Sequence, residues 1–154
     1  MRYGRMGGVV LAVAVVAGCA QAPAREHTMT ALEAIEAASR VNGTGVNGRF
    51  VFEVKAVGTN GSDIFLNSER DYRDPRSLNV RMNPGVRDQL EARLGGKLDQ
   101  VLIGRQVRVR GTAERVRIDI VSGPTPTGKQ FQVGSRHYYQ THVHVKQADQ
   151  VELI

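Results

Sequence analysis

The sequence predicts a mainly β chain: a five-stranded Greek-key barrel with a helix between strands 3 and 4 and an extra N-terminal helix. Three observations predict it. Within residues 48–82, three short stretches alternate apolar and polar side chains and are separated by turn residues. A proline-started helical stretch follows, and then two more alternating stretches at residues 106–118 and 138–146. Seventeen glycines and few helix-length apolar stripes favour a turn-rich β architecture over a helical bundle.

The chain begins with a signal of another kind. Residues 1–18 carry Arg2 and Arg5, then an apolar run from Val9 to Val16, then Ala17 and Gly18 before Cys19. A basic start and an apolar run of about ten residues have the make-up of a secretory signal peptide, too short to span a bilayer. The Val16-Ala17-Gly18-Cys19 ending resembles the lipobox of bacterial lipoproteins. That resemblance implies cleavage before Cys19, acylation of Cys19 by chains such as palmitate, and a lipidated tether over residues 19–29. At about 0.8 kcal/mol per buried methylene, several acyl chains on one residue anchor a protein stably. Ala20 stands where an aspartate commonly retains such proteins on the inner membrane, so the resemblance implies an outer-membrane position facing the periplasm. Cys19 is the only cysteine, so an internal disulfide is excluded. The other reading is an ordinary signal peptide with an incidental cysteine.

The folded domain is expected over residues 30–154. Thr30 and Glu33 match a capping box, with Leu32, Ile35 and Ala38 or Ser39 as the apolar stripe of a helix that Asn42-Gly43 stops. Phe50, Phe52, Val54 and Ala56 alternate with Val51, Glu53, Lys55 and Val57 in the first barrel strand. The turn residues Gly58-Thr59-Asn60-Gly61 lead to a second strand at residues 64–67. Residues 69–76 are too charged for a core and include Pro75; Leu78, Val80 and Met82 then share one face of the third strand. Asn83 before Pro84 starts a helix, Val86, Leu90 and Leu94 recur along it, and Gly95-Gly96 ends it. In QVRVRGTAERVRI, Val107, Val109, Val116 and Ile118 are expected to face inward and the arginines outward, with Gly111 as a bend or bulge in one long strand. Residues 122–135, with two prolines and three glycines, read as a loop. Tyr139, Thr141, Val143 and Val145 share a face of the last long strand, and residues 151–153 close the chain.

Three strands, a helix and two strands is the order of the OB-fold, a partly open Greek-key barrel. The segments IFLNSERDYRDP and GRQVRVRGTAE…ADQVEL resemble bacterial OB-fold domains of the tRNA-anticodon-binding-like group, over residues 46–154. The resemblance implies an OB-fold-like binding module, with a longer Gly/Pro-rich insertion between the last two strands than the group carries.

Formal net charge is +6, and removing Arg2 and Arg5 from the 21 basic residues leaves 19 against 15 acidic, or +4. That is compatible with a polyanion without requiring one. The alternating Arg108, Arg110, Arg115 and Arg117, with Arg105, Arg136, Lys146 and Lys55, form a candidate basic face, and Phe65, Tyr72 or Tyr138 would stack bases beside it. Alternatively the arginines simply keep an exposed β face soluble. His142 and His144 share a strand face near His137, a candidate zinc or copper set lacking a cysteine or carboxylate ligand at clear spacing. Asp63, Glu69, Asp71 and Asp74 interleave with Arg70, Arg73 and Arg76, which favours local salt bridging over a calcium loop. There is no nucleophile elbow and no phosphate-cradling glycine loop, so no enzyme and no cofactor is expected. The leading expectation is a non-catalytic, lipid-anchored envelope module that binds an envelope protein or polymer. The alternatives are binding of single-stranded nucleic acid through the arginine face and, more weakly, metal binding by the histidines.

Overall fold

A computed structural model describes residues 27–41, 43–121 and 133–154, so the leader, Cys19 and residues 122–132 of the expected loop lie outside the described residues. Within them the chain runs β1 (Thr28–Thr30), α1 (Ala31–Arg40), β2 (Val46–Glu53), β3 (Ala56–Asn60), β4 (Asp63–Asn67), β5 (Leu78–Met82), α2 (Pro84–Leu94), α3 (Leu98–Val101), β6 (Gln106–Val121), β7 (Val133–Val145) and β8 (Val151–Leu153). The strands form one sheet in the order β1-β2-β6-β7-β5-β4-β3, with β8 also paired to β6. β5 runs parallel to β7, and β6 runs antiparallel to both β2 and β7.

The sheet curls because its two sides are joined at one peptide. The Val54 N–H donates to the Arg105 carbonyl at 3.0 Å, while the next N–H, of Lys55, donates to the Asn67 carbonyl at 2.9 Å. The chain thus leaves β6 and takes up β4 within two residues, which makes the mainly β architecture an OB-like curled sheet. This break divides the expected first strand into β2 and β3. With β1 and β8 as short additions there are eight strands among the described residues rather than five, and α2 lies between the fifth and sixth of them. Thr28 and Met29, expected in the tether, belong to β1, which approaches β2 closely. A Cβ on Gly48 would lie 2.6 Å from Met29 Cε and 2.9 Å from the His27 carbonyl oxygen, so only glycine fits there.

Alternation places Phe50, Phe52, Val54, Ile64, Leu66, Leu78, Val80, Met82, Val107, Val109, Val143 and Val145 in one core. Fully burying a side chain of the size of Leu66 contributes about 1.5–3 kcal/mol. The α2 helix closes the core with Val86 and Leu90, as its spacing predicts; the Asn83 side chain accepts from the Val86 N–H at 2.9 Å, and Gly95 ends it with φ 76°. The α1 helix has its capping box, and Ala38 is buried and Ile35 packs half-buried against the core as the stripe predicts. Ala34 is buried as well, letting α1 lie close to the sheet, while Leu32, expected in the stripe, is 58% exposed.

In β6 the pairing is unbroken from Gln106 to Asp119, with the irregularity only between Asp119 and Val121. Gly111 is therefore not a bulge. It is a close approach, since a Cβ there would lie 2.8 Å from Val143 Cγ1. Strict alternation then puts Val107, Val109 and Ala113 in the core but turns Val116 and Ile118, expected inward, to the other face, where they are half-buried. Tyr139 is 40% exposed although Thr141 and Val143 on its side are buried.

Candidate ligand-binding groove

The inward residues of β4, β5 and β7 define what lies on the opposite face. Because Ile64, Leu66, Leu78, Val80, Thr141 and Val143 point into the core, Phe65, Asn67, Asn79, Arg81, Gln140, His142 and His144 point away from it. The register aligns Asn67 with Asn79 and Asn79 with His142, giving a row of neutral polar side chains across three strands. On β6, Ile118 lies opposite Tyr138 and Val116 opposite Gln140.

The charged loop between β4 and β5 folds back over this row. The Tyr72 carbonyl accepts from Asn79 Nδ2 at 3.4 Å and from Gln140 Nε2 at 3.1 Å. Gln140 Nε2 also donates to the Tyr138 hydroxyl at 3.2 Å, and Ser77 Oγ donates to Asn79 Oδ1 at 2.7 Å. With its Nε2 committed as donor, Gln140 accepts through Oε1 from His142 Nε2 at 2.7 Å. That requires the proton of the neutral imidazole on Nε2, leaving Nδ1 as an acceptor. Burial, with Arg81 adding to it, lowers the His142 pKa to about 4, so the ring is neutral near pH 7. Burial also raises the Tyr138 pKa, which keeps its hydroxyl protonated.

What remains open is a groove of about 330 Å³ beside Gly58, Thr59 and Asn60 of β3, walled by Phe65, Asn67, Tyr72, Ile118, Tyr138 and His142. That is within the size range of small-ligand sites. Phe65 and His142 meet edge to face at 5.7 Å. Among the described residues no lysine, arginine, aspartate or glutamate lines it. At its lip Tyr72 is 47% exposed, and the Arg73 guanidinium stands 5.2 Å from that ring. Arg73 is in no ion pair among the described residues, and its pKa is raised by its hydrogen bond to Tyr72. Asn67 is 4% exposed, and its Oδ1 has no hydrogen-bond partner among the described residues.

Phe65, Tyr72 and Tyr138 thus come together at one place, but the basic face does not form. Arg115 stands five positions after Arg110, an odd offset, so an unbroken strand sends the pair Arg108 and Arg110 and the pair Arg115 and Arg117 to opposite faces. Arg108 pairs with Glu152 at 3.0 Å and Arg110 with Asp149 at 3.3 Å. Arg117 pairs with Asp119 at 2.9 Å, and Arg115 stacks 3.7 Å from the Tyr139 ring centre. Lys55 is held by Glu69 at 2.9 Å. The histidines separate for the same reason: His137 lies on the Tyr139 side, 5.4 Å from that ring, away from His142 and His144. Among the described residues no cluster is arranged to hold a metal ion. The acidic loop is salt-bridged, with Asp74 to Arg76 at 2.8 Å and Asp63 to Arg81 at 2.7 Å. Hydrogen bonds from Arg76, first from its side chain and then its backbone, hold the Asp74 carboxyl at about 2.

Asn67, Asn79 and Gln140 were not foreseen as site residues. Their one sequence signal is three uncharged amides at strand positions that a loop later covers, and nothing in the loop's charged composition marks it as a cover.

No family model matches the chain, and no curated protein matches it. Two solved structures are similar to it. One chain, described as an aspartyl-tRNA synthetase from Leishmania major Friedlin, is 13% identical with a TM-score of 0.41, over 91% of this chain and 23% of that one. An aspartyl-tRNA synthetase from Entamoeba histolytica is 12% identical with a TM-score of 0.35, over 72% of this chain and 19% of that one. This chain therefore matches less than a quarter of the length of either synthetase.

Proposed function

We propose that the chain is a non-catalytic OB-like binding module that holds single-stranded nucleic acid. A base sits in the groove, and the backbone passes the lip at Arg73. The observation that carries this reading is the pairing of an uncharged, aromatic-walled groove with a guanidinium that is in no ion pair among the described residues and rests on the exposed ring at its edge. A flat ring gains about 1–3 kcal/mol from stacking on an aromatic side chain. A phosphate finds no cation inside the groove but one just outside it. Contacts elsewhere on the molecule are less favourable, because Arg108, Arg110 and Arg117 are already engaged by carboxylates.

Fluorescence anisotropy of a short labelled DNA strand of mixed sequence, titrated with the full-length chain in mild detergent, tests this. Binding is expected at low salt, weakening as salt rises with a slope of about −0.7 per phosphate contacted. An absence of binding at low salt would overturn the reading.

From the leader we also propose that Cys19 is acylated and that the module is anchored at the bacterial cell envelope, in the outer membrane facing the periplasm. The Val16-Ala17-Gly18-Cys19 ending supports this. An envelope protein or polymer is then a partner of the anchored chain, and nucleic acid would be met outside the cytoplasm. Growth with a clickable palmitate analogue should label the protein, and Cys19→Ser should abolish the label. A wild-type chain that takes up no label would rule out the anchor.

A further inference from the structure

We infer that the groove selects a base bearing an exocyclic amino group, whose N–H donates to Asn67 Oδ1; this rests on the nucleic-acid reading above. Asn60 is exposed to solvent, and the other two buried amides of the groove, Asn79 and Gln140, are occupied. Asn79 donates to the Tyr72 carbonyl and accepts from Ser77 Oγ. Gln140 donates to Tyr72 and Tyr138 and accepts from His142. Asn67 Oδ1 is the buried acceptor left over, in a residue 4% exposed whose side chain lines the groove.

A buried acceptor with no partner is unfavourable by about 1–3 kcal/mol, so a ligand that brings a donor is favoured by relieving it. An anionic ligand group would meet no cation there, and an apolar ring would leave the oxygen unmet. A planar heterocycle with a projecting amino group supplies both needs: a face for Phe65 and Tyr138, and an N–H for Asn67. Adenine and cytosine carry such a group, whereas thymine presents its ring N–H between two carbonyl oxygens. The oxygen is shielded in the empty groove, so entry of the ring has to part the lip. Tyr72, half-exposed on its loop, is the side chain there with room to move.

The test replaces single atoms. In the anisotropy assay, the full chain is given a strand containing deoxyadenosine and the same strand with purine deoxyriboside, which lacks only the amino group. A second pair exchanges deoxycytidine for 2-pyrimidinone deoxyriboside. Strands with the amino group should bind about five- to tenfold more tightly. Asn67→Leu should bring the two members of each pair to equal affinity. It should also melt no lower than wild type, because the substitution removes an unmet polar atom in favour of an apolar one of similar size. Equal affinity for both members of each pair would overturn the inference while leaving the nucleic-acid reading standing. A preference that survives in Asn67→Leu would also overturn it. Failure of every strand to bind at low salt would remove the nucleic-acid reading itself, and saturable binding of an N-acetylated oligosaccharide instead would assign the groove to a glycan.

Discussion

Protonation of His142 would put a charge on a largely buried ring whose neighbours include Arg81. Burial and that guanidinium both favour the neutral form, which is why its folded pKa is about 4 against an ordinary value of 6.5. The direction of the linkage follows. Above about pH 6.5 the ring is neutral whether the chain is folded or not, so His142 has no effect on stability there. Between about 6.5 and 4 the unfolded chain takes up a proton that the folded chain refuses, so stability falls as pH falls, and below about 4 the loss levels off. Urea unfolding at a series of pH values should show this, and His142→Asn should flatten the difference across that window. A variant whose pH profile ran parallel to wild type would show that His142 is solvated or charged in the fold. The neutral ring also holds Gln140 through its acceptor oxygen, and Gln140 in turn holds the Tyr72 loop. The imidazolium keeps its Nε2–H, so that bond would survive protonation, and the cost of acid falls on burying the charge.

The elements divide by whether their signal is local. Both long helices were legible because caps are local: Thr30 with Glu33, and Asn83 with Pro84, need only a few neighbouring residues to act. Strand alternation was legible wherever one face is apolar and buried, from Phe50 to Val54 and from Leu78 to Met82. It failed along β6, where a glycine invited a break that the structure does not contain. Gly111 is required by the proximity of Val143, a residue 32 positions further on, and such a contact leaves no mark in the local sequence. One misplaced bulge exchanges the faces of every later residue, which is how Val116 and Ile118 were read as core and the four arginines as one surface. The groove was only half legible. Its aromatic members stood out by type, but Asn67, Asn79 and Gln140 are buried by a loop rather than by apolar partners, and their role depends on register between strands far apart in sequence.

Across the whole molecule the question is whether net charge or its placement governs binding of a polyanion. The sequence carries a formal +6, yet Arg108, Arg110, Arg117, Arg81, Arg76 and Lys55 each stand against a carboxylate. Exposed pairs of this kind contribute little to stability, about 0–1 kcal/mol, but they cancel much of the field that a distant phosphate would feel. At physiological salt, screening over about 8 Å confines what remains to its immediate surroundings. A backbone passing the groove should therefore sense Arg73 and be nearly blind to the paired arginines of β6. Arg73→Gln removes one charge, while Arg108→Gln combined with Arg110→Gln removes two. If placement governs, the single change should reduce the steepness of the salt dependence by about 0.7, the contribution of one phosphate contact to single-strand binding. The double change should leave that slope as it was, despite the larger loss of net charge. The opposite ranking would mean that the strand follows the β6 surface, with the groove incidental to it.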